Sequence, residues 1–123
     1  MTRSGVLVLD DDPQMGPLLA EMLEGIAIRV DVALDLKMAC DLLSLSTYQL
    51  LLSELNLADG SGLDLLAFIR AQGLALPLIL MTSFPTADVR NRVLRAGALD
   101  ILEKPFSVQA ARNLCRRVLG SLP

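Results

Sequence analysis

Short apolar runs and amphipathic stretches alternate along the chain, and the alternation predicts five strand–helix units. Val6–Leu9 is a compact apolar run with β-branched residues, the pattern of a buried strand. Met15, Leu18, Leu19, Met22 and Leu23 then recur on one helical face. Asp12 is the expected N-cap and Pro13 the first helical residue. Pro17 removes a donor just inside that helix, so a kink or a start nearer Gly16 is expected, with Gly25 as the stop. Ile28, Val30 and Val32 alternate with Arg29 and Asp31, the pattern of a strand with one more exposed face.

Asp35 is placed to cap a second helix with Ala39, Leu42 and Leu43 inward, ending near Ser44–Ser46. Leu50–Leu55 reads as a third strand carrying one acid, Glu54, before a loop at Asp59-Gly60-Ser61-Gly62. Leu63, Leu65, Leu66 and Ile69 mark a third helix that stops at Gly73. Pro77 bounds a fourth strand, Leu78–Met81, and Thr82-Ser83-Phe84-Pro85 is the next loop. A fourth helix starts at Thr86 or Asp88, turns Val89, Val93 and Leu94 inward, and stops at Gly97. Leu99–Leu102 is a short fifth strand, Lys104-Pro105-Phe106 a turn, and Ser107 the cap of a last helix, Val108–Leu119. Five βα units with short loops require a parallel sheet with right-handed crossovers and helices on both faces. The expected fold is α/β: a single doubly wound five-stranded parallel sheet, (βα)5, of the flavodoxin-like kind.

Composition fits that picture. The 123 residues suit one domain, 1–123, and the 53% hydrophobic content suits a sheet covered on both faces. Charges interrupt every apolar run before membrane-spanning length, and Met1–Gly5 has no signal-peptide layout, so a cytoplasmic location is expected. Gly120–Pro123 is expected to fray, and a longer protein would continue from there. Cys40 and Cys115 have neither pairing nor metal spacing and read as core packing. The absence of histidine removes histidine bases, histidine metal ligands and phosphohistidine transfer. One tyrosine and no tryptophan leave no platform for stacking bases.

Charge is unevenly spread. Residues 1–88 hold 12 acids and 4 bases, whereas residues 89–123 hold 2 acids and 7 bases. The basic set is Arg90, Arg92, Arg95, Lys104, Arg112, Arg116 and Arg117. It reads first as solvated helix faces, and more sharply as a surface for an acidic partner or a second copy through helices four and five. Direct nucleic-acid binding is not expected, because no recognition-helix motif is present and the net charge is −3.

Open α/β sheets place their chemistry at the C-terminal ends of the strands. The residues arriving there are Asp10 and Asp11, then Glu54, Thr82 and Lys104. Unit charges 4 Å apart repel by about 4 kcal/mol at an effective dielectric near 20. One lysine cannot neutralise three acids, and a divalent cation with oxygen ligands, such as Mg²⁺, would. Taken singly, Asp12 has a capping explanation, Lys104 a surface one and Thr82 a backbone-satisfying one. The set at four strand ends is what carries the inference.

With these residues in place, the chain resembles a receiver domain of a bacterial response regulator (CheY-like) over nearly its whole length. The resemblance rests on Val8-Leu9-Asp10-Asp11-Asp12, Leu57-Ala58-Asp59-Gly60-Ser61-Gly62, Met81-Thr82-Ser83, Gly97-Ala98 and Lys104-Pro105-Phe106. It implies that Asp10 and Asp11 hold Mg²⁺, helped by the main-chain oxygen of Asn56 and by Glu54 if it ligates. It implies that Thr82 and Lys104 bind a phosphoryl group, and that the bond before Pro105 is cis.

Two positions depart from the family pattern. Glu54 stands where the family has its phosphorylated aspartate, and Ile101 stands where it has a switch aromatic. Glutamate is one methylene longer, which puts its carboxylate about where phosphoryl oxygens belong. A misplacement near 1 Å can cost on the order of a hundredfold in transfer. Glu54 is therefore expected to reach Lys104 and Thr82 as a fixed charge. Mg²⁺ would then be held weakly or not at all. Ile101 is β-branched and stiff, and cannot swing as a ring does.

The expected function is a receiver module of a two-component phosphorelay, atypical, not phosphorylated on aspartate, and not an enzyme. It would act through contacts with a histidine kinase, a phosphotransfer protein or an output domain, with no role for a membrane. One alternative is a phosphorylatable receiver that takes its phosphoryl group from a histidine kinase with Mg²⁺, on Glu54 or a neighbouring aspartate such as Asp59. Another is a small haloacid-dehalogenase-like phosphatase, since Asp10-x-Asp12, Thr82 and Lys104 resemble that motif order. Against it, Gln14 stands where that family has Thr or Val, and no acid follows Lys104. A nucleotide site is excluded, because the first turn lacks the glycine fingerprint and its aspartates would repel a pyrophosphate.

Overall fold

Five parallel strands form the central sheet: β1 (Gly5–Leu9), β2 (Arg29–Ala33), β3 (Leu50–Glu54), β4 (Leu78–Thr82) and β5 (Asp100–Glu103). The strand order is β2-β1-β3-β4-β5, with every neighbouring pair parallel. The helices are α1 (Met15–Met22), α2 (Leu36–Leu45), α3 (Gly62–Ala71), α4 (Ala87–Arg95) and α5 (Val108–Leu119). These coordinates are a computed structural model and describe residues 5–27 and 29–120. Ile28, expected in the second strand, and the expected fraying of 121–123 lie outside the described residues.

Period-two alternation along the strands builds two cores, one on each face of the sheet. Val6, Val8, Leu50, Leu52, Ile79, Met81 and Leu102 pack with Leu19, Met22 and Leu23 of the α1 region and with Ala111, Leu114, Cys115 and Leu119 of α5. Leu7, Leu9, Leu51, Leu78, Leu80 and Ile101 pack with Ala39 of α2, with Leu65, Leu66 and Ile69 of α3, and with Val93 of α4. β1, β3 and β4 lie inside the sheet, so their residues are buried on both sides and read as continuous apolar runs. β2 lies at an edge, and its burial is partial as its polar alternation predicts.

Several local expectations needed correction. Asp12 does not cap α1. Gln14 occupies the cap without a side-chain bond, and Asp12 instead accepts the Gln14 N–H in a turn ahead of the helix. The helix therefore starts beside Gly16, and Pro17 falls in the first turn, where backbone donors have no intrahelical partner anyway. Leu18 is 42% exposed. The buried arc rotates toward Gly16 instead, because a Cβ there would stand 2.3 Å from Val32 Cγ2. Leu94 is exposed as well, since α4 buries only the stripe through Val93. The loop after β3 is not wholly irregular: Asn56–Leu57 pairs antiparallel with Gly60–Ser61, and Gly62 already belongs to α3. The Asp35, Thr86 and Ser107 caps form as expected, each side chain accepting a backbone N–H of its own first turn.

Candidate functional site

The strand order reverses between β1 and β3, so the loops leaving these two strands diverge and open a cleft at their C-terminal ends. Asp10 leaves β1 on one side and Glu54 ends β3 on the other. Lys104 follows β5 and is held in line by its N–H, which donates to the Thr82 carbonyl at 2.8 Å. Its side chain crosses back over the sheet edge into the cleft.

Lys104 Nζ donates to Asp10 Oδ2 at 2.6 Å and to Glu54 Oε1 at 2.6 Å. Asp10 is 1% exposed, and the side chains of Glu54 and Lys104 are 14% and 15% exposed. Charge-assisted bonds this short in a partly desolvated site are strong ones. Burial alone pulls the Lys104 pKa down, but the hydrogen bonds and charges of Asp10 and Glu54 outweigh it and raise it above the ordinary lysine value.

The remaining carboxylate oxygens are also engaged. Asp10 Oδ1 accepts the Asp12 N–H at 3.0 Å. Glu54 Oε2 accepts the Leu55 N–H at 2.7 Å and, at 3.4 Å, the Asn56 N–H. The extra methylene of glutamate lets its carboxylate fold back onto the backbone of the following loop while still touching Lys104. No feature of the sequence pointed to these backbone donors, because every residue has one.

Of the predicted set, the fold brings Asp10, Glu54 and Lys104 together. Thr82 is buried beside them at the end of β4, but its Oγ1 accepts the Phe84 N–H at 3.2 Å, and no Glu54–Thr82 bond forms. The expected reach of Glu54 to Thr82 is thus corrected: the hydroxyl is drawn to its own loop. Asp11 is exposed and stands outside the bonded set. Asn56 is exposed and enters through its N–H. Ile101 is 8% exposed and packs into the core shared with α2, α3 and α4. The Lys104–Pro105 peptide bond is cis.

Receiver domains carry Mg²⁺ at their phosphorylation site. In this chain the oxygens of Asp10 and Glu54 already accept from Lys104 and backbone N–H groups, and Asp11 stands apart. Among the described residues no three acids or other metal-ligating side chains are grouped to hold an ion. As arranged, the donors do not fit a metal ion, and an ammonium supplies the counter-charge instead.

Asp59, in the loop after β3, was legible as a loop acid but not by its role. Its carboxylate accepts the N–H groups of Leu36 at 3.1 Å and of Lys37 at 3.4 Å, at the start of α2. It therefore ties the loop that follows Glu54 to the N-terminus of a helix on the same face, where negative charge is favoured.

Comparison with known proteins agrees with this architecture. The sequence model of the response regulator receiver domain matches residues 6–116. The chain is 33% identical over 119 residues to response regulator protein PilR of Pseudomonas aeruginosa, covering 97% of this chain and 27% of that protein. It spans about a quarter of the length of the first curated relatives it matches. A two-component response regulator from Clostridium difficile superposes with a TM-score of 0.89 at 25% identity, over 97% of this chain and 98% of the other. The receiver domain dimer of beryllofluoride-activated NtrC4 gives 0.86 at 25% identity, over 94% and 96%. No described helix is long and apolar enough to cross a membrane. The five-stranded fold, the acids and lysine at its strand ends and the match over residues 6–116 agree, and the chain belongs to the response regulator receiver domain family of two-component systems.

Proposed function

We propose that this is an atypical receiver, a protein-interaction module whose phosphoacceptor position holds a permanent charge. The observation that carries the reading is the closed Asp10–Lys104–Glu54 set, with Lys104 at 2.6 Å from both acids. Phosphoryl transfer needs an in-line carboxylate with free oxygens and a counter-ion for the incoming group. Here Glu54 is bonded at both oxygens and Lys104 is already shared. Asp10 and Asp11, with the main-chain oxygen of Asn56, are the remnant of a metal site, and any Mg²⁺ would bind weakly by displacing Lys104. Thr82, Lys104 and Pro105 are the remnant of the phosphoryl pocket, and Ile101 replaces the switch aromatic.

In this reading the chain has no catalytic activity and works in the cytoplasm as one domain, residues 1–123, the N-terminal part of a longer regulator. Receiver domains act through kinases and output domains, and the partner here is a kinase, a phosphotransfer protein or the parent's own output domain. Exposed Arg92, Arg95 and Arg116 on α4 and α5 offer a basic face to such a partner, or to a second copy.

The test is phosphoryl uptake from a small phosphodonor with Mg²⁺, read by intact mass. The parent chain is expected to show no adduct, and Glu54→Asp to show one at residue 54. An adduct on Glu54 of the parent sinks the proposal in favour of a working receiver. No adduct on either protein points to decay of the whole pocket.

A further inference from the structure

β5 is an edge of the sheet. It pairs with β4 on one side, and among the described residues no strand pairs with it on the other. The Lys104 N–H, just past the strand, points to β4 and donates to the Thr82 carbonyl at 2.8 Å. Main-chain groups of successive strand residues point to opposite sides, so those of Ile101 and Glu103 point to the open edge. Such an edge is a template for another strand unless something closes it.

Here the chain closes it with its own side chain. The Ile101 N–H donates to Asp100 Oδ1 at 2.7 Å, and Asp100 Oδ2 stands 3.7 Å from Arg117 Nη2. One carboxylate thus lies between a strand-edge N–H and a guanidinium. A groove of about 680 Å³ runs beside it between β5 and α5. Asp100 lines it together with buried Ile101 and Leu114 and exposed Asn113, Arg116 and Arg117.

Charge selects the occupant. Residues 89–123 carry 7 bases against 2 acids, Asp100 and Glu103, both on β5. A second copy would bring the same bases to this face and be repelled, whereas an acidic segment is drawn to it. A helix satisfies its own backbone and leaves the edge groups unpaired, whereas an extended segment pairs them.

We propose that the free edge of β5 receives an extended acidic segment of a partner protein as a sixth strand, and that Asp100 holds the place of its carboxylate until it arrives. A carbonyl of the segment takes the Ile101 N–H, and an acidic side chain takes Arg117, with Arg116 next to it in the chain. Asp100 then turns to solvent. This deepens the reading of the basic α4 and α5 face as the partner surface and rests on it.

The test is fluorescence anisotropy of a labelled alternating glutamate–valine peptide, about eight residues long as strands commonly are, titrated with the whole chain and no phosphodonor. The parent is expected to bind it weakly, and Asp100→Ala about fivefold more tightly, the worth of one freed hydrogen bond. Asp100→Asn keeps an acceptor for the Ile101 N–H and falls between the two; it carries the comparison if circular dichroism shows Asp100→Ala to be unfolded. Arg117→Glu abolishes binding by reversing the charge, and N-methylation of alternate peptide residues abolishes it by blocking strand pairing. Equal affinity for the lysine–valine counterpart, binding that survives N-methylation, or no gain on removing the Asp100 carboxylate would overturn the proposal. So would the absence of binding to parent and variant at about 1 mM. Self-association of Asp100→Ala in place of peptide binding would overturn it in favour of a second copy. A phosphoryl adduct on Glu54, by contrast, overturns the atypical-receiver reading and leaves these affinities as they are.

Discussion

Lys104 and Glu54, fifty residues apart in sequence, meet at 2.6 Å in the cleft at the C-terminal ends of the strands. Lys104 makes an equal contact with Asp10, ninety-four residues away. One ammonium thus closes the two loops that the strand order separates. It supplies the positive charge between the Asp10 and Glu54 carboxylates.

Removing that ammonium leaves two desolvated carboxylates facing each other. Lys104→Met is expected to lower stability by about 3–5 kcal/mol, because it unpairs buried charges rather than deleting a surface bridge. Adding Glu54→Gln should return part of the loss by removing one of the two charges. Urea denaturation of the parent, single and double variants checks both. A change within about 0.5 kcal/mol for Lys104→Met would show the pair to be solvated like an ordinary surface bridge.

Tyr48 is the single tyrosine of a chain without tryptophan, so its ionisation is directly visible in the ultraviolet. Burial, then the hydrogen bond its hydroxyl donates to Asp31 at 2.7 Å, pushes its pKa up to about 12. The folded value lies above the unfolded one, near 10, so Tyr48 stabilises the fold fully below pH 10 and loses that contribution between pH 10 and 12. Lys104 is raised from 10.5 and acts in the same direction over the alkaline range. Spectrophotometric titration of folded protein is expected to show a tyrosine midpoint near 12. Tyr48→Phe should flatten, without abolishing, the alkaline fall in the urea midpoint.

Gly62 begins α3 against the floor of the site. A Cβ there would stand 2.3 Å from Leu80 Cδ2 and 2.7 Å from the Glu54 carbonyl oxygen. One of those neighbours is backbone, so the contact cannot be relieved by a rotamer change. Gly62→Ala is expected to cost about 1–3 kcal/mol, in line with overpacking elsewhere. Thermal or urea unfolding reads the cost, and an unchanged midpoint would mean that β3 and α3 separate more easily than their packing implies.

Asp59 makes a different kind of contact, one carboxylate spanning from the β3–α3 loop to the first turn of α2. Asp59→Ala removes acceptors from two orphan N–H groups and is expected to cost about 1 kcal/mol, as loss of a helix cap does. Asp59→Asn keeps an acceptor and should lose less. The same variants tested for phosphoryl uptake in the Glu54→Asp background ask whether Asp59 is only a tether. Uptake that persists without Asp59 supports the tether, and uptake that disappears makes it an acceptor.

The sequence by itself determined the order of elements, both core faces and three members of the site. Apolar periodicity, capping residues and turn residues are local signals, and they placed Asp10, Glu54 and Lys104 at strand ends before any contact was known. It also put at residue 54 a glutamate, one methylene longer than aspartate. Only the tertiary structure decided where those longer side chains and loop hydroxyls point. Glu54 folds onto the Leu55 N–H, Thr82 turns to Phe84, Asp11 stands apart, and Asp59 caps a helix more than twenty residues before it. Each of those outcomes is a competition among nearby donors and acceptors. The winner depends on distances of a few tenths of an ångström, which no residue pattern along the chain encodes. Gly16 makes the same point in the core: it shifted the buried arc of α1 away from Leu18 because β2 supplied Val32 at that spot.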